Sequence, residues 1–293
     1  MRITNKANLP DAVFNFISKN NYTPGKNDYS VTTLLRPPQM VQLERRHWEA
    51  IEEDASDRVW SVFGHAVHAL LETHASDDAE AEQRLYVDVL GRTIGVQVDH
   101  YHDGTITDYK VTSAWTLVYG SRLHEWEEQL NIYAHIFRAN GKPVDKLQIC
   151  AILRDWDKNK AKQDRAYPQA PLQIIDLAVW SDEQCTHFIE ERVHVHIENE
   201  TLADEDLDHC SPEECWEQST KYAVMKKDRK SALRVFDTEE EALTFIEPLD
   251  LANHSIQVRH GRRTRCEDYC AVSGFCAQFK AYKERLLDEA QER

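Results

Sequence analysis

No apolar run in the chain approaches the roughly eighteen residues needed to cross a bilayer. The N-terminus also lacks the basic, apolar and small-residue succession of a secretory signal. Both absences predict a cytoplasmic protein with no membrane partner. Cysteine is missing before Cys150, and in a reducing compartment the seven present are not expected to pair as structural disulfides. There is no internal repeat and no low-complexity tract, which excludes a solenoid. Positive charge is short: 35 Lys and Arg stand against 51 Asp and Glu, a net of −16. What is present is 293 residues, 41% of them hydrophobic, enough for one large domain or one domain carrying an insertion.

The most informative stretch is Gly95-Val96-Gln97-Val98-Asp99 followed by Thr105-Ile106-Thr107-Asp108-Tyr109-Lys110. It reads as two strands. Side chains alternate along a strand, so Asp108 and Lys110 project together, opposite Thr107 and Tyr109. The intervening segment ends in Asp103-Gly104, a pair suited to a hairpin turn, which would bring Asp99 back alongside Asp108. Two carboxylates and one lysine suit metal-assisted phosphodiester hydrolysis. The acids hold Mg²⁺, the ion polarises the phosphate and lowers the pKa of a water, and the lysine adds positive charge at the attacked centre. A solvated ion pair on a sheet face is the competing reading, and Asp228-Arg229-Lys230 repeats the spacing in a charge-rich turn.

Context comes from both sides. Residues 58–75 read as a helix with Phe63, Val67 and Leu70 as one apolar stripe, and with Gly64 and His68 sharing a neighbouring face. A helical glycine costs about 1 kcal/mol against alanine, so Gly64 predicts a close neighbour. His68 would then reach a metal or a phosphate; the other readings are a histidine that caps the core edge, or His65 as the relevant one. Residues 121–139 read as another helix, on which Gln129 and Tyr133 share a face and suit a phosphate, a base edge or the lysine.

In this order Gly64-x-x-x-His68, Glu82, Gly95-x-x-x-Asp99, Asp108-Tyr109-Lys110 and Gln129-Leu130-x-x-Tyr133 span about seventy residues. Together they resemble the PD-(D/E)XK nuclease superfamily, in its RecB-like exonuclease branch of phage enzymes and CRISPR-adaptation nucleases. The resemblance implies that His68, Asp99 and Asp108 bind Mg²⁺ or Mn²⁺ with the backbone carbonyl of Tyr109. It implies that Lys110 assists the water, that Gln129 and Tyr133 brace the site and the DNA, and that Glu82 helps with a second ion. Ser30 to Pro38 looks like the family segment that docks before the first helix. Tyr167-Pro168-Gln169-Ala170-Pro171 and Cys210 to Trp216 are similar to phage-type members. The likeness is tight from Ser30 to Trp156 and looser to Phe279. It implies a phage or prophage origin and work in the cytoplasm of a bacterial host.

The late cysteines, Cys266-x3-Cys270-x5-Cys276, suggest metal ligation, either Zn²⁺ or a [4Fe–4S] cluster, or else three free thiols packing a turn. Iron–sulfur members of the branch add a cysteine before the first helix, which this chain lacks. A fourth ligand would be Cys210, Cys215 or a histidine such as His260. His194 and His196 diverge on a helix and read as surface residues.

The pattern predicts an α/β (α+β) fold with a restriction-endonuclease-like core, a mixed central sheet flanked by helices. Strands are expected near 84–90, 93–101, 105–112, 146–153 and 172–175, and a helix over 182–200. Asp157 to Ala170 reads as a mobile polar loop. The expected domains are a core over 1–215, a small ββα insertion over 216–250, and a Cys-containing C-terminal segment over 251–293 whose last helix packs back on the core.

The function this implies is a Mg²⁺-dependent DNA exonuclease in phage recombination or DNA processing, acting on linear duplex or single strands, with a recombination partner protein. The alternatives are an endonuclease of the same fold, for repair, restriction or CRISPR adaptation, or an inactive DNA-binding subunit. The acidic balance opposes DNA binding, so contact is expected to be local, through Lys221 to Arg234 and Arg259 to Arg265. Solubilising surface is the other reading of these two runs.

Overall fold

In the computed structural model the described residues are 1–18, 25–74 and 84–291; Glu82 lies outside them. The chain divides into two compact units, Met1–Val41 with Glu49–Leu202, and Gln42–Trp48 with Ala203–Arg293. The elements run β1 (Arg2–Thr4), α1 (Asp11–Ser18), β2 (Tyr29–Ser30), α2 (Val31–Leu34), α3 (Pro38–His47), β3 (Glu52–Asp54) and α4 (Val59–Glu72). Next come β4 (Arg84–Val89), β5 (Arg92–Gln97), β6 (His100–His102), β7 (Thr105–Thr112), α5 (Ala114–Tyr119) and α6 (Leu123–Ala139). After these follow β8 (Lys146–Leu153), α7 (Lys158–Gln163), β9 (Leu172–Leu177) and α8 (Asp182–Glu200). The second unit holds β10 (Lys221–Lys226), β11 (Arg234–Phe236), α9 (Glu239–Ile246), β12 (His254–Arg259) and α10 (Ala277–Gln291).

The fold is mixed α/β, with sheets flanked by helices. In the first unit β6-β7-β8-β9 form one sheet, antiparallel except for the parallel β7–β8 pair, and β2-β5-β4 form another. The expected strand over 93–101 is interrupted: β5 ends at Gln97 and β6 begins at His100, leaving Val98 and Asp99 between two ladders. The predicted hairpin forms. Asp103 and Gly104 take positive φ (43° and 72°), the backbone that a two-residue turn between twisted strands demands.

The core explains why these elements hold the site. On β8, Leu147, Ile149, Ala151 and Leu153 alternate inward and are buried. Trp126, Leu130, Tyr133 and Phe137 recur at helical spacing on α6 and join the same cluster with Ile94, Val96 and Ile106. Each such side chain contributes about 1.5–3 kcal/mol by leaving water. Helix α8 clamps the segment ahead of α3: Arg192 and His196 both reach the Leu34 carbonyl, the histidine at 3.0 Å.

Several sequence expectations are corrected. His196 is fully buried, bonded to Leu34 and packed on the Tyr29 ring; only His194 is exposed, beside Glu198. The span Asp157 to Ala170 is built rather than a polar loop. Asp157 caps α7 through the Asn159 and Lys160 amides, Tyr167 is buried, and Trp156 Nε1 donates to the Pro168 carbonyl at 2.7 Å. The apolar stripe of α4 is not core: Phe63 is 47% and Leu70 64% exposed, and no residue of the helix is buried. The ββα unit gains a third strand, giving the order β11-β10-β12 over a small core of Val224, Ala242 and Ile246. Among the described residues no helix is long and apolar enough to cross a membrane.

Candidate active site

Four segments of the first unit converge. Helix α4 supplies His68, the break between β5 and β6 supplies Asp99, β7 supplies Asp108, Tyr109 and Lys110, and α6 supplies Gln129 and Tyr133. Their contacts form two groups. His68 Nδ1 lies 3.0 Å from Asp99 Oδ1, and the backbone N–H of Tyr109 donates to Asp99 Oδ2 at 2.8 Å. Lys110 Nζ lies 2.7 Å from Asp108 Oδ2 and donates to Gln129 Oε1 at 3.0 Å. Gln129 Nε2 in turn donates to the Tyr133 hydroxyl at 2.5 Å. The structure thus gathers His68, Asp99, Asp108, Tyr109, Lys110, Gln129 and Tyr133 in two hydrogen-bonded groups that meet along β7, while the predicted cofactor ligands Cys266, Cys270 and Cys276 belong to the other unit.

Local sequence fixes each position. The β7–β8 register sets Asp108 opposite Ile149 and Lys110 opposite Ala151, so burying β8 orients the Asp108 and Lys110 backbone. The ring of Tyr109 stands edge-on to His68, with centroids 6.2 Å apart. On α6, Tyr133 and Leu130 are buried while Gln129 is half-buried at the edge, which aims the amide at Lys110.

The electrostatics are those of a partly dry acidic site. Asp108 is 4% exposed, and desolvation pushes its carboxyl pKa up against the opposing pull of Lys110. Lys110 Nζ, 2.7 Å from Oδ2, is the cation that partners this buried oxygen. The Asp99 hydrogen bond raises the His68 pKa, and burial opposes it. Burial also pushes the Tyr133 phenol well up, keeping it a neutral hydroxyl.

These donors, two carboxylates and an imidazole, have the chemistry of a hard divalent-cation site, and the buried Asp108 already faces one cation, the Lys110 ammonium. As the side chains stand, no three His, Cys, Asp or Glu groups among the described residues are already arranged as a metal shell.

A cavity of about 410 Å³ opens beside Tyr133, lined also by Asn27, Ser30, Thr33, Arg36 and Arg84. Sequence reading singled out neither Asn27 nor Arg84, and marked Arg36 only as part of the Ser30 to Pro38 segment. Gly95 carried the available signal: a Cβ there would sit 2.7 Å from the Asn27 side chain, so the glycine is required by this approach. Gly64 behaves oppositely. Nothing lies within 4 Å of where its Cβ would stand, so the close neighbour expected there is absent among the described residues. Arg84 pairs across the strands with Gln97, its Nε donating to Oε1 at 2.8 Å.

Neither a family model nor a curated protein matches the chain. Two solved structures are similar to parts of it. One is the crystal structure of SSO0001, 20% identical, covering 64% of this chain and 83% of that one, with a TM-score of 0.45. The other, from Eubacterium rectale and described as "Putative exonuclease", is 13% identical, covers 54% of this chain and 62% of that one, and has a TM-score of 0.31.

Proposed function

We propose that this protein is a Mg²⁺-dependent deoxyribonuclease, an exonuclease that hydrolyses phosphodiester bonds of linear DNA. The observation that carries the reading is the meeting of two hydrogen-bonded groups, His68–Asp99–Tyr109 and Asp108–Lys110–Gln129–Tyr133, at neighbouring residues of β7, built from the residues of the motif.

His68, Asp99, Asp108 and the Tyr109 carbonyl would hold the ion. Once bound, Mg²⁺ or Mn²⁺ supplies Lewis-acid polarisation of the phosphate and a more acidic water. At Asp108 burial disfavours the charged form and Lys110 opposes it, and a bound cation would add to that pull. Asp99, through Tyr109 N–H and His68, fixes α4 to β7. Lys110, held by Gln129 Oε1, places its ammonium where negative charge grows on the phosphate and orients the attacking water. Tyr133 braces Gln129 through its hydroxyl oxygen. Arg36 and Arg84, with the hydroxyls of Ser30 and Thr33, give the adjoining cavity the donors that a phosphodiester strand takes up. Such local contacts offset a chain net charge of −16 and make binding steeply salt-dependent.

The test is degradation of end-labelled linear duplex and single-stranded DNA beside a covalently closed circle, with Mg²⁺, Mn²⁺ or EDTA. The reading expects loss of linear DNA, survival of circles and no loss in EDTA. Cut circles would make the protein an endonuclease. DNA bound but never cut would make it a binding subunit.

A further inference from the structure

Helix α4 meets the first unit's sheet at two levels. His68 stands edge-on to Tyr109 of β7, and nearer the start of the helix the Arg154 guanidinium lies over the Trp60 ring, 4.5 Å from its centroid. Arg154 directly follows β8, and its N–H donates to the carbonyl of Thr112, the last residue of β7, at 3.0 Å. The run from Tyr109 to Thr112, about 10 Å along the strand, is therefore matched by the run from His68 to Trp60, about 12 Å along the helix. A second ring lies at the same end. Asp155 accepts the Ser113 hydroxyl and the Ala114 N–H, both at 2.6 Å, which fixes the start of α5 beside Arg154. The next residue, Trp115, has the Lys160 ammonium 4.7 Å from its ring centroid and Tyr119 stacked on it with centroids 5.8 Å apart.

These rings are not core. Trp60 is 58% and Tyr119 74% exposed, so they contribute little to folding, and exposed rings grouped in this way mark a binding surface. The charge around them is positive in a chain whose net is −16. Residues 154–165 hold Arg154, Lys158, Lys160, Lys162 and Arg165 against three acids. All three acids are committed to the backbone: Asp155 to the start of α5, Asp157 to the Asn159 and Lys160 amides, and Asp164 to the Ala166 amide.

We propose that Trp60, Trp115 and Tyr119, with Arg154 and Lys160, form a platform that holds single-stranded DNA beside the candidate active site. Bases stack on the exposed rings, and the guanidinium and ammonium take the phosphates between them. A duplex keeps its base faces stacked on one another and offers the rings nothing, so the platform selects a single strand. An apolar protein partner would be expected to meet bare rings, whereas here a cation lies over both tryptophans. Because α4 and β7 carry both the platform and the site, a strand lying on the rings is led along the helix toward His68 and Lys110. That the strand is DNA rests on the nuclease reading; that it is single rests on the rings.

The test is fluorescence anisotropy of a labelled oligothymidylate, beside a labelled duplex of the same length, with the full chain in EDTA so that no strand is cut. The wild type should bind the single strand more tightly than the duplex. Trp60→Ala and Tyr119→Ala should each weaken single-strand binding about 5–100-fold, the worth of one stacked base. Trp60→Phe should keep most of the affinity and Trp60→Leu should lose it, which separates stacking from apolar contact. Lys160→Gln should lower the log–log salt slope by about 0.7. Circular dichroism checks that the variants are folded. A wild type that ignores the oligothymidylate or prefers the duplex, full affinity in both folded alanine variants, or Trp60→Leu binding as well as Trp60→Phe overturns the platform. Ring-dependent binding in EDTA with no DNA cut in Mg²⁺ keeps the platform and overturns the nuclease reading instead.

Discussion

Asp99 Oδ2 accepts the Tyr109 backbone N–H at 2.8 Å while its Oδ1 lies 3.0 Å from His68 Nδ1. One carboxylate thus spans a helix and a strand, and its histidine partner stands 31 residues away along the chain. It has a structural duty separate from any role as a ligand. Asp99→Asn keeps an oxygen for the Tyr109 amide but loses the negative charge. We expect its melting temperature to stay close to wild type while Mn²⁺ affinity, measured by calorimetry, falls about 10–100-fold. Asp99→Ala should lower both. Unchanged Mn²⁺ binding in Asp99→Asn would remove Asp99 from the ligand set.

Lys110 is positioned by Gln129, whose own orientation depends on Tyr133. Gln129→Ala leaves the ammonium held by Asp108 alone, and misplacement on the ångström scale costs roughly 10²-fold in rate. Tyr133→Phe leaves the Gln129–Lys110 bond in place and should cost less, about tenfold or under. Single-turnover DNA cleavage by both variants checks the order; a larger loss for Tyr133→Phe would contradict this chain of support.

Leu130, on α6, is fully buried in the cluster that backs the site. Leu130→Ala should destabilise by about 2–5 kcal/mol in urea. Leu287→Ala, on the 61% exposed position of α10, should stay within about 0.5 kcal/mol.

Asp204 accepts hydrogen bonds from His47 and Arg46, which hold its carboxyl below the usual carboxylate range. A depressed folded pKa stabilises above the unfolded value, near 3.9, and that contribution is lost as pH falls through the folded value. The stability gap between wild type and Asp204→Asn should therefore hold between about pH 5 and 7 and shrink below about pH 4. Urea midpoints across this range check it, and a gap that widens in acid would contradict it.

How far the sequence can be read differs from element to element. Strand β8 and helices α6 and α8 are readable because each repeats apolar residues at one period across a buried face. The hairpin is readable because Asp103-Gly104 names its own turn. The short helices α5 and α7 are not, since each is made by a single capping side chain, Ser113 or Asp157, rather than by a pattern. The apolar stripe of α4 misleads because periodicity reports amphipathicity and not what covers it. His196 misleads because its partner, the Leu34 carbonyl, is 162 residues away. Within the site, charged and amide residues follow from spacing, whereas the Asn27, Arg36 and Arg84 wall depends on a parallel β2–β5 contact that no local pattern announces.

The most direct measurement is the rate of nucleotide release from linear duplex DNA at fixed Mg²⁺ by wild type, Asp108→Asn and Lys110→Ala. The account predicts release by the wild type, at least about 10²-fold less by each variant, and unaltered folding of all three by circular dichroism. Release by folded Asp108→Asn and Lys110→Ala at the wild-type rate would contradict it.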